Sequence, residues 1–582
     1  MAPAPVRRAG SHHPRSVAAD AGPAGIPLRS GTDLDRARTW PWAWPWRAAV
    51  SVVAGILLAL PYLHADLYLL SWVAFVPWLW VCRQQSLWQR YGLGLAFGLG
   101  CYVTATYWVV DFLMLFKQYG GLRAVLWSAL FWLYSAHLPA LLAVALGWFE
   151  QRQGLSNQAL SNQAVSNALR CELMVFPLLV VLLYAHFPML FPSQLGESQS
   201  RFLLALQGVD RFGVYGLDAI IALVNMLLLR ALLMGRSGYR AASNWLGLMV
   251  VLAWFGYGAL ALPHWQQQVA LWPRLAVGLV QPNEPPSVVP PPPYAGYSRA
   301  YPPAMEMSGR LVAAGAELVI WPESAYKGYF DEPAVATAFR SEVQALGIHL
   351  MLQDIERSAD VQFNTLTLVN AAGVERGRYR KMKRVAFGEY VPLVSDVPWL
   401  RQRVEEFFGA FLNEIAAGSQ RVQFQMGQLT LVPLICYETL FPQFVADSLA
   451  AVDTPAVLVA VSSNAWFGAT RQPFQHVGSA VLRAVENRVS MLHVVNNGPS
   501  TAVTPDGRVL LQTDFRQAGG YRVDLPYESR TADSSGASSA GHDAVGRPVW
   551  HPRWFLVCTY GLAGLCLLLA LVRRPCVHRG PV

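Results

Sequence analysis

The stretch LTLVPLICYE, Leu429–Glu438, decides the fold. Leu429–Ile435 reads as a strand that stops where Cys436-Tyr437-Glu438 begins. Similar short runs lie on both sides: Leu275–Gln281, Ala316–Trp321, His349–Leu352, Ala456–Ser462, Met491–Asn496 and Ser500–Val503. Phe363–Val369 and Arg376–Lys381 read as a hairpin across Ala371-Ala372-Gly373. Helical stretches intervene at Tyr301–Ala314, Glu332–Leu346 and Gln472–Val489. Strands alternating with helices, with hairpins added, predict a layered α/β domain built on a mixed sheet.

Outside this domain the composition changes. The chain has 582 residues, 54% hydrophobic and only 14% charged, with mean hydropathy +0.29. Soluble domains carry about a quarter charged residues. This excludes a disordered or wholly water-exposed chain and predicts that much of it is solvated by lipid. Apolar runs follow in series: Ala48–Leu63, Leu67–Cys82, Tyr91–Phe116, Ala124–Phe149, Leu173–Phe191, Val214–Leu233, Trp245–Leu262 and Trp554–Val572. They predict a polytopic α-helical membrane domain of about eight spans. The expected layout is a disordered basic arm (1–46), spans one to seven (47–263), the α/β domain (264–531), a linker (532–553), span eight (554–572) and a tail (573–582).

The net charge of +9 is explained by placement. Arg47, Arg83, Arg90, Arg152, Arg170, Arg236, Arg240 and Arg573 fall on one side of an eight-span count, with the Arg-bearing arm. Lys117, Arg123, Arg201 and Arg211 fall on the other, so the bias is real but imperfect. The positive-inside rule then makes the basic side cytoplasmic and the α/β domain extracytoplasmic. Topology thus accounts for the basic excess, and no nucleic-acid partner is expected. Asp111, His137, Asp218 and Asn225 lie inside spans. Such groups are either functional, as in a transporter's proton relay, or paired within the bundle.

Of the seven cysteines, only Cys436 lies in the α/β domain. It has no partner there for a disulfide, and one Cys makes no structural zinc site. Cys436 is therefore either a small buried core residue or a nucleophile. Glu323 and Lys381 also sit at strand ends, where α/β folds present reactive groups. Glu can act as general base and Lys can stabilise an oxyanion, so the three supply the parts for acyl transfer. No metal or nucleotide cofactor is expected, since the 12 His are scattered and no Gly-rich phosphate loop follows a strand.

These residues stand in WPES (Trp321–Ser324), YRKMKRVAFGEYVPL (Tyr379–Leu393), ICYE (Ile435–Glu438) and NAWFG (Asn464–Gly468). In that order they resemble the nitrilase superfamily. Set between seven spans and one, with FPSQLGESQ (Phe191–Gln199) before span six, they resemble its membrane branch, the apolipoprotein N-acyltransferases. The resemblance implies a nitrilase-like αββα sandwich. It also implies a catalytic triad of Glu323 as base, Lys381 as oxyanion stabiliser and Cys436 as nucleophile. Glu389, Tyr437 and Glu438 are implied as supporting residues. A ping-pong reaction is implied: a phospholipid donates an acyl chain to Cys436, and the α-amine of a diacylglyceryl-cysteine apolipoprotein accepts it. The implied setting is the bacterial inner membrane, with a monomer acting on the periplasmic side. The sequence departs from the family at Ser463-Asn464, where Asn-Asp is usual, and has no Trp in the segment Pro290–Tyr297.

Leu400, Val404, Phe407, Phe408, Phe411, Leu412 and Ile415 recur at helical spacing, with Asp396 and Gly418 as expected ends. This helix either faces the core or forms a lid dipping into the outer leaflet, the lid being carried by Leu400, Phe407, Phe408 and Phe411. Two other functional classes stay open at this level: a membrane-anchored amidohydrolase, in which water takes the acyl group, and a transporter resting on Asp111 and Asp218.

Overall fold

The structure, a computed structural model, describes residues 43–152, 162–238, 242–287, 292–358, 361–386, 388–391, 394, 397–408, 414–528 and 553–572. Six helices there are long and apolar enough to cross a membrane: Trp44–Leu63, Ala65–Cys82, Gly121–Arg152, Val209–Met234, Ser243–Leu271 and Arg553–Leu571. Leu87–Ala105 and Val109–Phe116 make a seventh if counted as one span, bent by 55°. The remaining expected run is the shorter apolar helix Glu172–His186.

Three details differ from the sequence pattern. The run Tyr91–Phe116 breaks because Thr106 leaves helical geometry (φ −124°, ψ 31°), while its hydroxyl donates back to the Tyr102 carbonyl at 2.5 Å. The second span opens as a 3-10 helix, Ala65–Trp72. The seventh continues past Leu262 to Leu271 with Pro263 inside it. Two intramembrane polar groups bond to backbone groups of neighbouring segments. Asp218 accepts the Gly196 N–H at 2.7 Å. Asn225 accepts the Phe75 N–H at 3.0 Å and donates to the Ser71 and Ile221 carbonyls, both at 2.9 Å. Polar side chains bonded in this way hold helices together.

The α/β domain has twelve strands: β1 (Arg274–Gln281), β2 (Leu318–Ile320), β3 (His349–Ser358), β4 (Val361–Val369), β5 (Glu375–Arg380), β6 (Phe424–Met426), β7 (Leu429–Ile435), β8 (Ala456–Ser462), β9 (Ser490–Val495), β10 (Thr501–Val503), β11 (Val509–Gln512) and β12 (Gly519–Pro526). They form two six-stranded sheets, ordered β12-β1-β2-β3-β4-β5 and β11-β10-β9-β8-β7-β6. In each sheet three consecutive strands run parallel, β1-β2-β3 and β7-β8-β9, and the edges are antiparallel. The helices are α1 (Pro303–Ala313), α2 (Pro333–Leu346), α3 (Pro398–Phe408), α4 (Pro442–Ala450) and α5 (Gln472–Asn487).

Strand periodicity sorts the side chains into layers. Val277, Ile320, Met351 and Leu366 face Leu431, Ile435, Val457 and Leu492 across the interior between the sheets. Their neighbours Val280, Val319 and Leu350 turn outward onto Phe339 and Val343 of α2 and Leu311 of α1. On the second sheet Val432, Leu434 and Leu458 turn outward onto Val481 and Val485 of α5. The result is an αββα sandwich. The cluster around α5 also contains Leu206, Val214 and Leu217 of the membrane region, so the two parts share one core.

Arg488, just past α5, pins this shared core. It is fully buried, and its guanidinium donates to Asp210 (3.0 Å), to the Gln207 side chain (2.9 Å) and carbonyl (3.0 Å), and to the Pro505 carbonyl (3.0 Å). Removing one partner of a buried ion pair leaves an uncompensated charge, at a cost of ~3–5 kcal/mol. Asp210→Ala should therefore lower the thermal midpoint of the detergent-solubilised protein, and adding Arg488→Leu should recover part of the loss. An unchanged midpoint in Asp210→Ala would contradict this assignment.

Candidate active site

The expected Glu, Lys and Cys converge where the two sheets present their strand ends. Glu323 lies just past β2, Lys381 directly follows β5, and Cys436 directly follows β7. Lys381 Nζ is 2.9 Å from Glu389 Oε1 and 4.0 Å from Glu323 Oε1. Asn364 Nδ2 donates to Glu323 Oε1 at 2.7 Å and to Glu389 Oε1 at 3.3 Å. The Ser463 N–H donates to Glu323 Oε2 at 3.0 Å. Each carboxylate is thus oriented by donors other than the lysine. Lys381 is held in turn: its N–H donates to the Asn364 carbonyl, and its own carbonyl accepts the Gly418 N–H, both at 2.8 Å.

Cys436 has φ +50°, in the left-handed region. For a residue with a Cβ this costs about 1–2 kcal/mol. The chain turns sharply there, from β7 into the 3-10 helix Cys436–Leu440. Thr439 Oγ1 donates to the Cys436 carbonyl at 3.1 Å, and His476 Nε2 lies 2.8 Å from that hydroxyl and 3.3 Å from the same carbonyl. Glu438 is the main brace. One oxygen accepts the Met382 and Lys383 N–H groups at 2.7 and 3.1 Å. The other accepts the Ile435 N–H at 2.8 Å and the Tyr379 hydroxyl at 2.7 Å. A single buried carboxylate therefore ties the Lys381 segment of one sheet to the Cys436 segment of the other.

Burial and charge set the protonation states. Burial pushes the Cys436 thiol up, the Glu323 and Glu389 carboxylates push it further, and Lys381 opposes them. Glu323 is itself raised, by burial first, with Lys381 pulling it down and Glu389 pushing it up. Burial pulls Lys381 down, but Glu389 and Glu323 outweigh it and the ammonium is held above its ordinary value. Burial pulls His476 down to about 4, so it is neutral at pH 7. The resting site is a neutral thiol beside a carboxylate and a fixed cation, which is the starting point for base-assisted thiol attack.

A cavity of about 1000 Å³ opens on Cys436 and runs among the spans. Tyr437, Val385 and Phe467 line it near the cysteine, and Trp108, Cys101 and Leu58 line it within the bundle. The Tyr437 hydroxyl donates to the Leu190 carbonyl at 2.5 Å, and its ring packs edge-on against Phe191.

Sequence reasoning missed Asn364, Thr439 and Ser463 as parts of the site. Asn364 had a signal, being a buried-strand amide among the apolar and hydroxyl residues of FNTLTLV. Ser463 acts through its backbone, which leaves none. The structure gives the lid pattern a different course. The helix is α3, and Ile415 instead bridges to Gln362. Gly418 is a close-approach glycine, not a helix end, since a Cβ there would sit 2.2 Å from the Arg380 carbonyl. Leu400 lies on α3, as does the exposed Trp399. The side chains of Phe407 and Phe408, and Phe411 and Asp396 entirely, lie outside the described residues.

Residues 54–227 match the family model described as apolipoprotein N-acyltransferase N-terminal domain, and residues 279–531 match carbon-nitrogen hydrolase. A protein named apolipoprotein N-acyltransferase from Geobacter metallireducens is 29% identical, covering 80% of this chain and 87% of its own length. One of the same name from Methylococcus capsulatus is 29% identical over 71% of this chain and 77% of its own. Over most of its length the chain is similar to proteins named apolipoprotein N-acyltransferase. It is a membrane-embedded bacterial protein with a nitrilase-fold domain. Among solved structures it is similar to an amidase from Nesterenkonia AN1 of the nitrilase superfamily, at 18% identity, covering 44% of this chain and 93% of that one, with TM-score 0.33.

Glu438→Gln tests the brace. It replaces one acceptor by an NH2 that faces N–H or O–H donors, leaving buried donors unpaired at about 1–3 kcal/mol. The expected result is a lower thermal midpoint together with slower alkylation of Cys436 by iodoacetamide. Retention of both would show that Glu438 does not hold the cysteine turn.

Proposed function

We propose that this acyltransferase moves an acyl chain from a membrane phospholipid to the N-terminal α-amine of a diacylglyceryl-cysteine apolipoprotein, with Glu323, Lys381 and Cys436 as its catalytic residues. The observation that carries the reading is the cavity that joins Cys436 to the interior of the spans. It offers an acyl chain a lipid-like path to the thiol, which a water-soluble substrate does not need.

The reaction has two halves. Glu323 takes the Cys436 proton as sulfur attacks the donor ester carbonyl. Lys381 stabilises the tetrahedral oxyanion. As the intermediate collapses, Glu323 returns the proton to the departing glycerol oxygen, leaving a thioester and a lysophospholipid. The acceptor's neutral α-amine then attacks the thioester, Glu323 takes its proton and passes it to the departing sulfur. Glu389 and Asn364 hold Lys381 and Glu323 in place, and Tyr437 and Glu438 fix the cysteine turn. The enzyme acts as a monomer in the inner membrane with its basic flanks cytoplasmic and residues 264–531 periplasmic. The segment that carries Leu400, Phe407, Phe408 and Phe411 acts as a lid over the acyl site.

Incubation of purified protein with phospholipid and no acceptor should yield a hydroxylamine-sensitive acyl adduct on Cys436. Its absence in wild type, or its persistence in Cys436→Ser, would sink the mechanism. A second expectation concerns pH. Glu323 must be ionised to act as base, and its raised pKa means that ionisation is lost as pH falls through a value above the ordinary range of about 4.3. The acid limb of kcat/KM for adduct formation should sit above that range; a limb at or below it would show that another group is the base.

A further inference from the structure

A second cavity flanks the triad and shares no lining residue with the first. It offers about 550 Å³ of space, partly open to solvent. Ser324, the residue after Glu323, forms part of its wall, with Glu284, Tyr294, Tyr297, Tyr326 and Lys327. It also connects to the triad through hydrogen bonds. The Glu284 carbonyl accepts from Asn496 Nδ2 at 2.9 Å, the same nitrogen donates to Ser463 Oγ at 3.5 Å, and the Ser463 N–H donates to Glu323.

The walls are held before any ligand arrives. Tyr294 donates to Glu284 Oε2 at 2.8 Å, and Tyr297 donates to the Glu306 carboxylate. Tyr326 donates to the Arg299 carbonyl at 2.8 Å, while Arg299 Nη2 donates to the Lys327 carbonyl at 2.6 Å. Asp354 fixes the following turn by accepting the Gly328 and Tyr329 N–H groups at 2.9 and 2.7 Å. The Lys327 ammonium differs. Among the described residues it makes no hydrogen bond and no ion pair, although burial pulls its pKa down and Glu284 and Asp354 only partly offset this. A half-buried cation on the cavity wall with no ion-pair partner among the described residues is suited to a ligand that brings an anionic group.

We propose that this cavity seats the polypeptide of the acceptor, the few residues that follow its lipidated N-terminal cysteine. This rests on the acyl-transfer reading above. The acceptor is a lipid joined to a peptide, and its reacting amine lies at the junction. The two cavities divide in the same way: one is apolar and touches Cys436, the other is tyrosine-walled and touches Glu323's neighbour. Tyrosine offers contact area at low entropic cost and a hydroxyl for peptide groups. The cavity also carries both Lys327 and the Glu284 carboxylate, which suits a chain of alternating donors and acceptors.

The test uses full-length protein and two synthetic diacylglyceryl lipopeptides, alike except that the residues after cysteine are Asp-Asp or Lys-Lys. Wild type should show the lower KM for the acidic peptide. Lys327→Glu should reverse that order, moving the KM ratio by about tenfold or more, and Lys327→Gln should abolish the preference without reversing it. A ratio that stays as in wild type in both variants overturns the inference. So does a Lys327→Glu effect that follows donor headgroup charge during thioester formation instead of acceptor charge, since the cavity then holds the donor. If wild type forms no adduct on Cys436, the acyl-transfer reading fails instead, and the two failures are told apart.

Discussion

The site depends on one buried cation. Lys381 is 1% exposed, and a lone ammonium at that depth would deprotonate. Glu389 at 2.9 Å keeps it charged, and Glu323 at 4.0 Å adds to the field. Two carboxylates around one ammonium leave the array with a net negative charge, and that excess is felt by the thiol. The cluster therefore favours a protonated cysteine at rest. In the proposed mechanism the same lysine is more valuable once an oxyanion forms, because negative charge then appears where the cation can reach it. Charge that is preorganised in this way needs no rearrangement during the reaction.

Holding that array in register across two sheets is a second problem, and Glu438 addresses it. The sheets present Lys381 and Cys436 from different edges, and nothing in β-sheet hydrogen bonding connects them. Four donors from both segments meet on one carboxylate. The left-handed turn at Cys436 then has support from both sides, from Glu438 below and from Thr439 and His476 at its carbonyl. Backbone strain persists only where its surroundings determine it, and this turn is surrounded.

Much of this was legible in sequence. The strand endings at Cys436 and before Glu323 followed from apolar runs of strand length, the one at Lys381 from a hairpin across Ala371-Ala372-Gly373, and the spans from their length. The resemblance supplied roles that spacing alone could not. What stayed hidden depended on contacts distant in the chain. Thr106 breaks a span by bonding back to Tyr102, and an isolated Thr in an apolar run gives no sign of doing so. Gly418 reads as a helix stop but is a glycine because the Arg380 carbonyl passes close by. Ser463 contributes an N–H that any residue but proline would offer, so its side chain carried no information. Asp218 and Asn225 stood out as intramembrane polar groups; Asn225 is occupied by backbone groups, and one oxygen of Asp218 accepts the Gly196 N–H.

The shared core gives the site its setting. In a soluble αββα sandwich the outer helices face water. Here α5 is buried on both sides, between the second sheet and the spans, so the domain has no aqueous layer over that face. His476, Gln475, Gln472 and Ser479 of α5 line the cavity beside Cys436. The helix thus forms both a domain wall and a boundary of the cavity proposed as the acyl path. Around the cysteine, Tyr437, Phe191, Phe467 and Trp108 pack ring against ring. A thioester formed there would be bordered by aromatic surface, not bulk water. An amine delivered at the end of a lipid can reach such a bond where free water is scarce. In the proposed mechanism the choice between transfer and hydrolysis is then set by the walls of the site, since a Glu–Lys–Cys set serves either outcome.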